Sequence, residues 1–132
     1  MNYYIIENFS SFDEKIKQGI ALSLKIAEER KENVSVIFYD YKNLDGYFSE
    51  AIKTSINELR KSHALMINNT KFELISNKEL NYSSLNSIVL CIFPNIRLLN
   101  KLEKMNRDYE IIVPWISEDL KNLKTKSNCQ II

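Results

Sequence analysis

The chain has 132 residues, 45% hydrophobic and 27% charged, an ordinary globular composition at a length that suits one domain rather than two. Lys and Arg number 18 against 17 Asp and Glu, so a formal net charge of +1 excludes a strong global field toward nucleic acid or acidic partners. No apolar run approaches the roughly 18 residues of a membrane span, and the opening MNYYIIENFSSF lacks the basic and long apolar regions of a secretion signal. A cytoplasmic protein without membrane association is therefore expected.

Tyr3 to Ile6 is a short apolar run and the first expected strand. Ser11, with Glu14 three residues on, forms a capping box that opens a helix, since hydroxyl and carboxylate can each satisfy a free backbone N–H. The stripe of that helix is Phe12, Ile16, Ile20, Leu24 and Ala27, and Gly19 within it, at a cost of about 1 kcal/mol relative to Ala, points to close packing. VSVIFYD, residues 34–40, is nearly continuous in hydrophobicity, as a strand covered on both faces must be. Asp45 and Gly46 mark a turn, with Asp45 as cap of a second helix that carries Phe48, Ala51, Ile52, Ser55, Ile56 and Leu59 on one face. SHALMINN, residues 62–69, either extends that helix, because His63 and Met66 continue its stripe, or pairs as a strand with KFELIS across Asn69; the helix is the favoured reading.

KFELIS is the third strand, and SIVLCIF, residues 87–93, is the most strand-like stretch of the chain. Pro94 and Asn95 stop it, and NIRLLNKLEKMN follows as an amphipathic helix with Leu98, Leu99, Leu102 and Met105 inward. YEIIVPW is the fifth strand, Ser117 with Glu118 and Asp119 opens a last short helix, and CQII is a candidate edge strand. Strands alternating with helices predict a three-layer αβα domain built on an open sheet of about five mostly parallel strands. Its layout resembles Rossmann-like and flavodoxin-like domains, which is a statement about architecture and not about function. The connection over residues 77–86 is short for a parallel crossover, so one strand, at an edge, is expected to be antiparallel.

In such sheets ligands bind outside the carboxyl ends of the strands. The segments YDYKNLDG, FPNIR and VPWISED lie there. They supply the candidate ligand-binding residues Tyr41, Lys42, Asn43, Asn95, Arg97, Trp115, Ser117 and Glu118, with Asp40 as the candidate catalytic acid, base or ribose ligand. Asn95 and Arg97 open a helix whose free N–H groups favour an anion, although a plain helix start with Arg97 in solvent is the favoured reading of them. Asp40 also suits a turn former that bonds the backbone ahead of it. Trp115, the one Trp of the chain, suits stacking on a ring, anchoring a protein contact, or lying flat over the core edge.

Several chemistries are disfavoured. No GxGxxG or GxxxxGK[ST] follows a strand, no GxSxG is present, and His63 is the one His. The two cysteines have no metal-ligand spacing, and both are expected reduced. No acidic pair ends the first strand and no Lys-Pro the fifth, against a receiver domain. Arg97, Lys101 and Lys104 form a basic ridge, but with Glu103 beside it nucleic acid is not an expected partner. No metal and no cofactor are expected. The leading expectation is a non-catalytic interaction module that binds a protein partner or a second copy through the rim, with seven Tyr adding rigid contact area. The alternative is a binder or hydrolase of a nucleotide-like phosphorylated small molecule at the same rim.

Overall fold

A computed structural model describes residues 1–81, 84–115, 120–126 and 128–132. Seven strands form one sheet in the order β3-β4-β2-β5-β6-β1-β7: β1 (Asn2–Ile5), β2 (Val34–Phe38), β3 (Ala64–Ile67), β4 (Thr70–Ser76), β5 (Ile88–Ile92), β6 (Tyr109–Val113) and β7 (Cys129–Ile131). All pairs are parallel except β3 with β4. Among the described residues six helices join them: α1 (Phe12–Arg30), α2 (Tyr47–Ala51), α3 (Ile56–Ser62), α4 (Asn77–Leu80), α5 (Ile96–Glu103) and α6 (Lys121–Lys124).

Side chains alternate across each strand, so the central strands feed two cores. Val36, Phe38, Leu90, Ile92, Ile111 and Val113 pack on one face against Ile16 and Ile26 of α1, Phe48 of α2 and Leu59 of α3. Ile37, Val89, Cys91 and Ile112 pack on the other face against Leu80 of α4, Leu98 and Leu102 of α5 and Leu123 of α6. The result is the expected three-layer, Rossmann-like αβα arrangement, with seven strands rather than about five. Among the described residues no helix is long and apolar enough to cross a membrane.

Gly19 explains how closely α1 lies on the sheet. A Cβ there would stand 2.7 Å from Val113 Cγ2 and 3.2 Å from Leu90 Cδ1, so the close packing expected of this glycine is present. The Ser11 cap also forms, its hydroxyl accepting from the Glu14 N–H at 3.2 Å.

Two readings fail around residue 60. The expected second helix is broken: Lys53 turns left-handed (φ 54°) after α2, and the Ser55 hydroxyl starts α3 anew by accepting from the Glu58 N–H. The helix favoured over SHALMINN ends at Ser62, because His63 adopts a left-handed cap (φ 53°) and sends the chain into β3. Asn68 and Asn69, both at positive φ (48° and 69°), then close a two-residue hairpin to β4, a conformation Asn tolerates better than most residues. The antiparallel edge strand is thus β3. The short connection from β4 to β5 makes a parallel crossover over β2 after all, with one turn of helix, α4.

The amino end of the sheet holds a buried ion cluster. Glu110 in β6 is fully buried and accepts from Arg107 Nε at 2.7 Å, while Arg107, with a side chain only 4% exposed, also reaches Glu103 at 3.0 Å. The Tyr3 hydroxyl donates to Glu103, and Lys126 donates to Tyr3 at 3.1 Å. Burial pushes the Glu110 carboxyl above the ordinary value even with Arg107 beside it. Burial also works against ionised Glu103, but the Tyr3 hydroxyl, Arg107 and Lys126 together hold that carboxyl below its ordinary value.

Candidate functional site

Strand order decides which loops meet. The chain leaves β2 toward the α1 face and leaves β5 toward the α5 face, and β2 and β5 are neighbours. Adjacent strands whose exits diverge leave a crevice at their carboxyl ends. A cleft of about 430 Å³ occupies that position.

Its polar wall comes from the segment after β2. Asp40 extends the strand, then accepts from the Lys42 N–H at 2.8 Å, while the Asn43 side chain accepts from the Asp40 N–H at 3.0 Å. This reciprocal cap folds Tyr41–Asn43 into a single 3-10 turn that turns Lys42, Asn43 and Asp45 to the cleft. Asp40 is therefore engaged as a turn former and does not line the cleft.

Pro94 and Asn95, after β5, form the floor. The Asn95 side chain accepts from the Leu98 N–H at 2.9 Å and caps α5, which leaves its amide N–H₂ as its donor to a ligand. Arg97 is exposed and lies outside the lining, so the structure separates it from Asn95. Lys101 donates to Asn77 Oδ1 at 2.8 Å, joining α5 to α4.

The third wall is aromatic. Trp115, following β6, stacks on Phe12 of α1 with ring centroids 4.3 Å apart and planes 6° from parallel. Phe93 meets Trp115 edge-on at 5.1 Å, and Tyr47 stands 6.1 Å from it. Trp115 remains 50% exposed: it covers the core edge with one face and offers surface with the rest. Ser117 and Glu118 lie outside the described residues.

Lys42, Asn43, Asn95 and Trp115, named from the sequence, thus share one cleft, with Tyr41 behind them. Asp45, Phe12, Tyr47 and Phe93 complete the site and were not named for it. Phe12 had a usable signal, since an aromatic in the first turn of α1 lies at the sheet's carboxyl end.

Beside the cleft, Tyr41 and His63 share a hydrogen bond of 2.8 Å between the hydroxyl and Nδ1. Burial, reinforced by Glu79 and opposed by Arg60, pushes the Tyr41 phenol up to about 12. It stays protonated at neutral pH. His63 is accordingly an exposed residue of the rim and not part of a helix stripe.

The cleft presents aromatic carbon, one cation, one carboxylate and side-chain amides. Against this geometry, no protein-family model, no curated protein and no solved structure matches the chain.

Proposed function

We propose that the chain is a non-catalytic interaction module of the cytoplasm, which binds a protein partner or a second copy through the rim at the carboxyl ends of its strands. One observation carries this reading: Tyr39, Tyr47, Ile96 and Trp115, each between 44% and 50% exposed, all sit on that rim. Large apolar side chains gathered in one exposed place mark contact surfaces, and Tyr and Trp supply contact area at small entropic cost. A photo-crosslinking residue at Ile96 should trap a partner that the same residue at Lys25, on the exposed back of α1, does not. Trp115→Ala should abolish the trap. Equal trapping from both positions would defeat the reading.

The cleft itself favours a second reading, a nucleotide-like phosphorylated small molecule with its base on the open face of Trp115 and its phosphate near Lys42 and the Asn95 amide. In the hydrolase form of this reading Asp40 serves as acid, base or ribose ligand, once freed from its cap. A nucleotide that binds raises thermal stability by RT ln(1 + [L]/Kd), about 2.7 kcal/mol at 100 Kd. Nucleotides should therefore raise Tm and change Trp115 fluorescence, and Lys42→Ala should remove both effects; a flat response across mono-, di- and triphosphates refutes it.

A further inference from the structure

Away from the rim, β3 forms one edge of the sheet. Its hydrogen-bonding parity follows from the ladder: the Leu74 N–H donates to the His63 carbonyl at 2.8 Å, so 63 and 74, 65 and 72, and 67 and 70 are the bonded pairs. The backbone groups of Ala64 and Met66 then point away from β4. Ala64 is already satisfied, because the Ser62 hydroxyl donates to its carbonyl at 2.7 Å and accepts from its N–H at 3.4 Å. Within β3 the outward main-chain donor and acceptor left over are those of Met66.

Met66 is also 63% exposed, the highest value of any large apolar side chain among the described residues. On the α1 face its neighbours Leu65 and Ile67 border an open groove of about 650 Å³ whose floor is Ile20, Leu24 and Ile52. Exposed edges are ordinarily guarded by Lys, Pro or a bulge. Residues 62–70, SHALMINNT, contain no Pro and no Lys, Arg, Asp or Glu.

We infer that β3 is a homodimer interface, in which two copies pair antiparallel about a two-fold axis at Met66 and join their sheets edge to edge. Two facts select a second copy over a foreign strand. A two-fold axis at Met66 sets Met66 opposite its own copy and Leu65 opposite Ile67 of the second copy, so any charge in the strip would come close to the same charge of the second copy; an uncharged strip suits such a contact. Moreover, the free main chain is limited to one N–H and one C=O on the same residue. Met66 opposite Met66 of a second copy exchanges both bonds, so the one free donor and acceptor of the strand are self-complementary, and Ala64 of each copy keeps its bonds to Ser62. The same operation brings the two grooves together on the α1 face, where Leu65 and Ile67 lose water.

The surface is separate from the aromatic rim, so a test can tell them apart. Sedimentation of the full chain should give a doubled mass for wild type and for Trp115→Ala, and a single mass for Met66→Lys, which should still unfold cooperatively. In a Cys129→Ser background, Met66→Cys should be joined to a second copy by a short bismaleimide, and Glu28→Cys, on the back of α1, should not. A wild type that stays monomeric, a dimer that survives Met66→Lys, or a dimer lost in Trp115→Ala overturns the inference. If Met66→Lys fails to fold, the Cys pair decides: cross-linking no faster at 66 than at 28 overturns it.

Discussion

Consider Arg107→Met, which removes the partner of a carboxylate buried at the amino end of the sheet. Glu110 is fully buried, its Oε1 is 2.7 Å from Arg107 Nε, and its Oε2 has no hydrogen-bond partner among the described residues. Breaking such a pair from one side costs about 3–5 kcal/mol, because a buried charge is left uncompensated. At roughly 3–5 °C per kcal/mol for a domain of this size, Tm should fall by about 10–20 °C at pH 8. The sign of the pH dependence follows from linkage. Glu110 has a folded pKa raised above its unfolded value, so its contribution is greatest with the proton bound and declines as pH rises through the folded pKa. Losing Arg107 raises that pKa further, so the deficit of the variant should shrink as pH falls from 8 toward 5. Glu110→Gln discards the charge and keeps the shape, leaving Arg107 to Glu103, and should cost far less than Arg107→Met at pH 8. The measurement is thermal unfolding of the three proteins between pH 5 and 8. Equal losses in the two variants, or a deficit for Arg107→Met that does not change with pH, would refute the reasoning.

Gly19→Ala should destabilise by about 1–3 kcal/mol despite the better helix propensity, since the new methyl would stand 2.7 Å from Val113 Cγ2; a chemical-denaturation midpoint at or above wild type would mean that α1 can lift off the sheet. Asn95→Ala should cost about 1 kcal/mol by removing the α5 cap, and Asn95→Asp should restore most of it in the same denaturation assay. Of the two thiols, Cys91 is fully buried and pushed well above its ordinary pKa by that burial, so under native conditions alkylation followed by mass spectrometry should modify Cys129 alone.

The parts legible in the sequence are those fixed by short-range pattern. The stripe of α1, the two-sided apolar runs of β2, β5 and β6, and the caps at Ser11 and Asn95 are each written within a few residues. The ledge of Lys42, Asn43, Asn95 and Trp115 followed from them, because parallel strands that end together present their next residues together. What stayed hidden depends on partners distant in the chain. Ala64–Ile67 continues a helical stripe as readily as it forms a strand, and its choice rests on pairing with β4 and on two left-handed Asn residues. The Tyr41–His63 bond joins residues 22 apart, and the stacking of Phe12 on Trp115 joins opposite ends of the chain; neither has a periodic signal.

Phe93 ties the backbone to the rim. It is the residue where β5 gives way to Pro94, its N–H donates to the Val113 carbonyl at 2.9 Å, and its φ is 48°, in the left-handed region. An L residue pays about 1–2 kcal/mol for that conformation, whereas Gly adopts it freely. In exchange, the ring is driven edge-on into both Phe12 and Trp115. Strain of this kind persists only where surrounding contacts enforce it, and here those contacts are the aromatic wall itself. The order of two substitutions tests the idea. Both Phe93→Ala and Phe93→Gly lose the ring, but only Gly also loses the strain, so Gly should be the more stable by about 1 kcal/mol, opposite to the usual ranking of these residues in extended chain. Both should leave Trp115 more accessible to acrylamide, by the same amount. If Ala proves the more stable, the backbone at Phe93 is unstrained; if Trp115 quenching does not change, the ring is not what holds the wall in place.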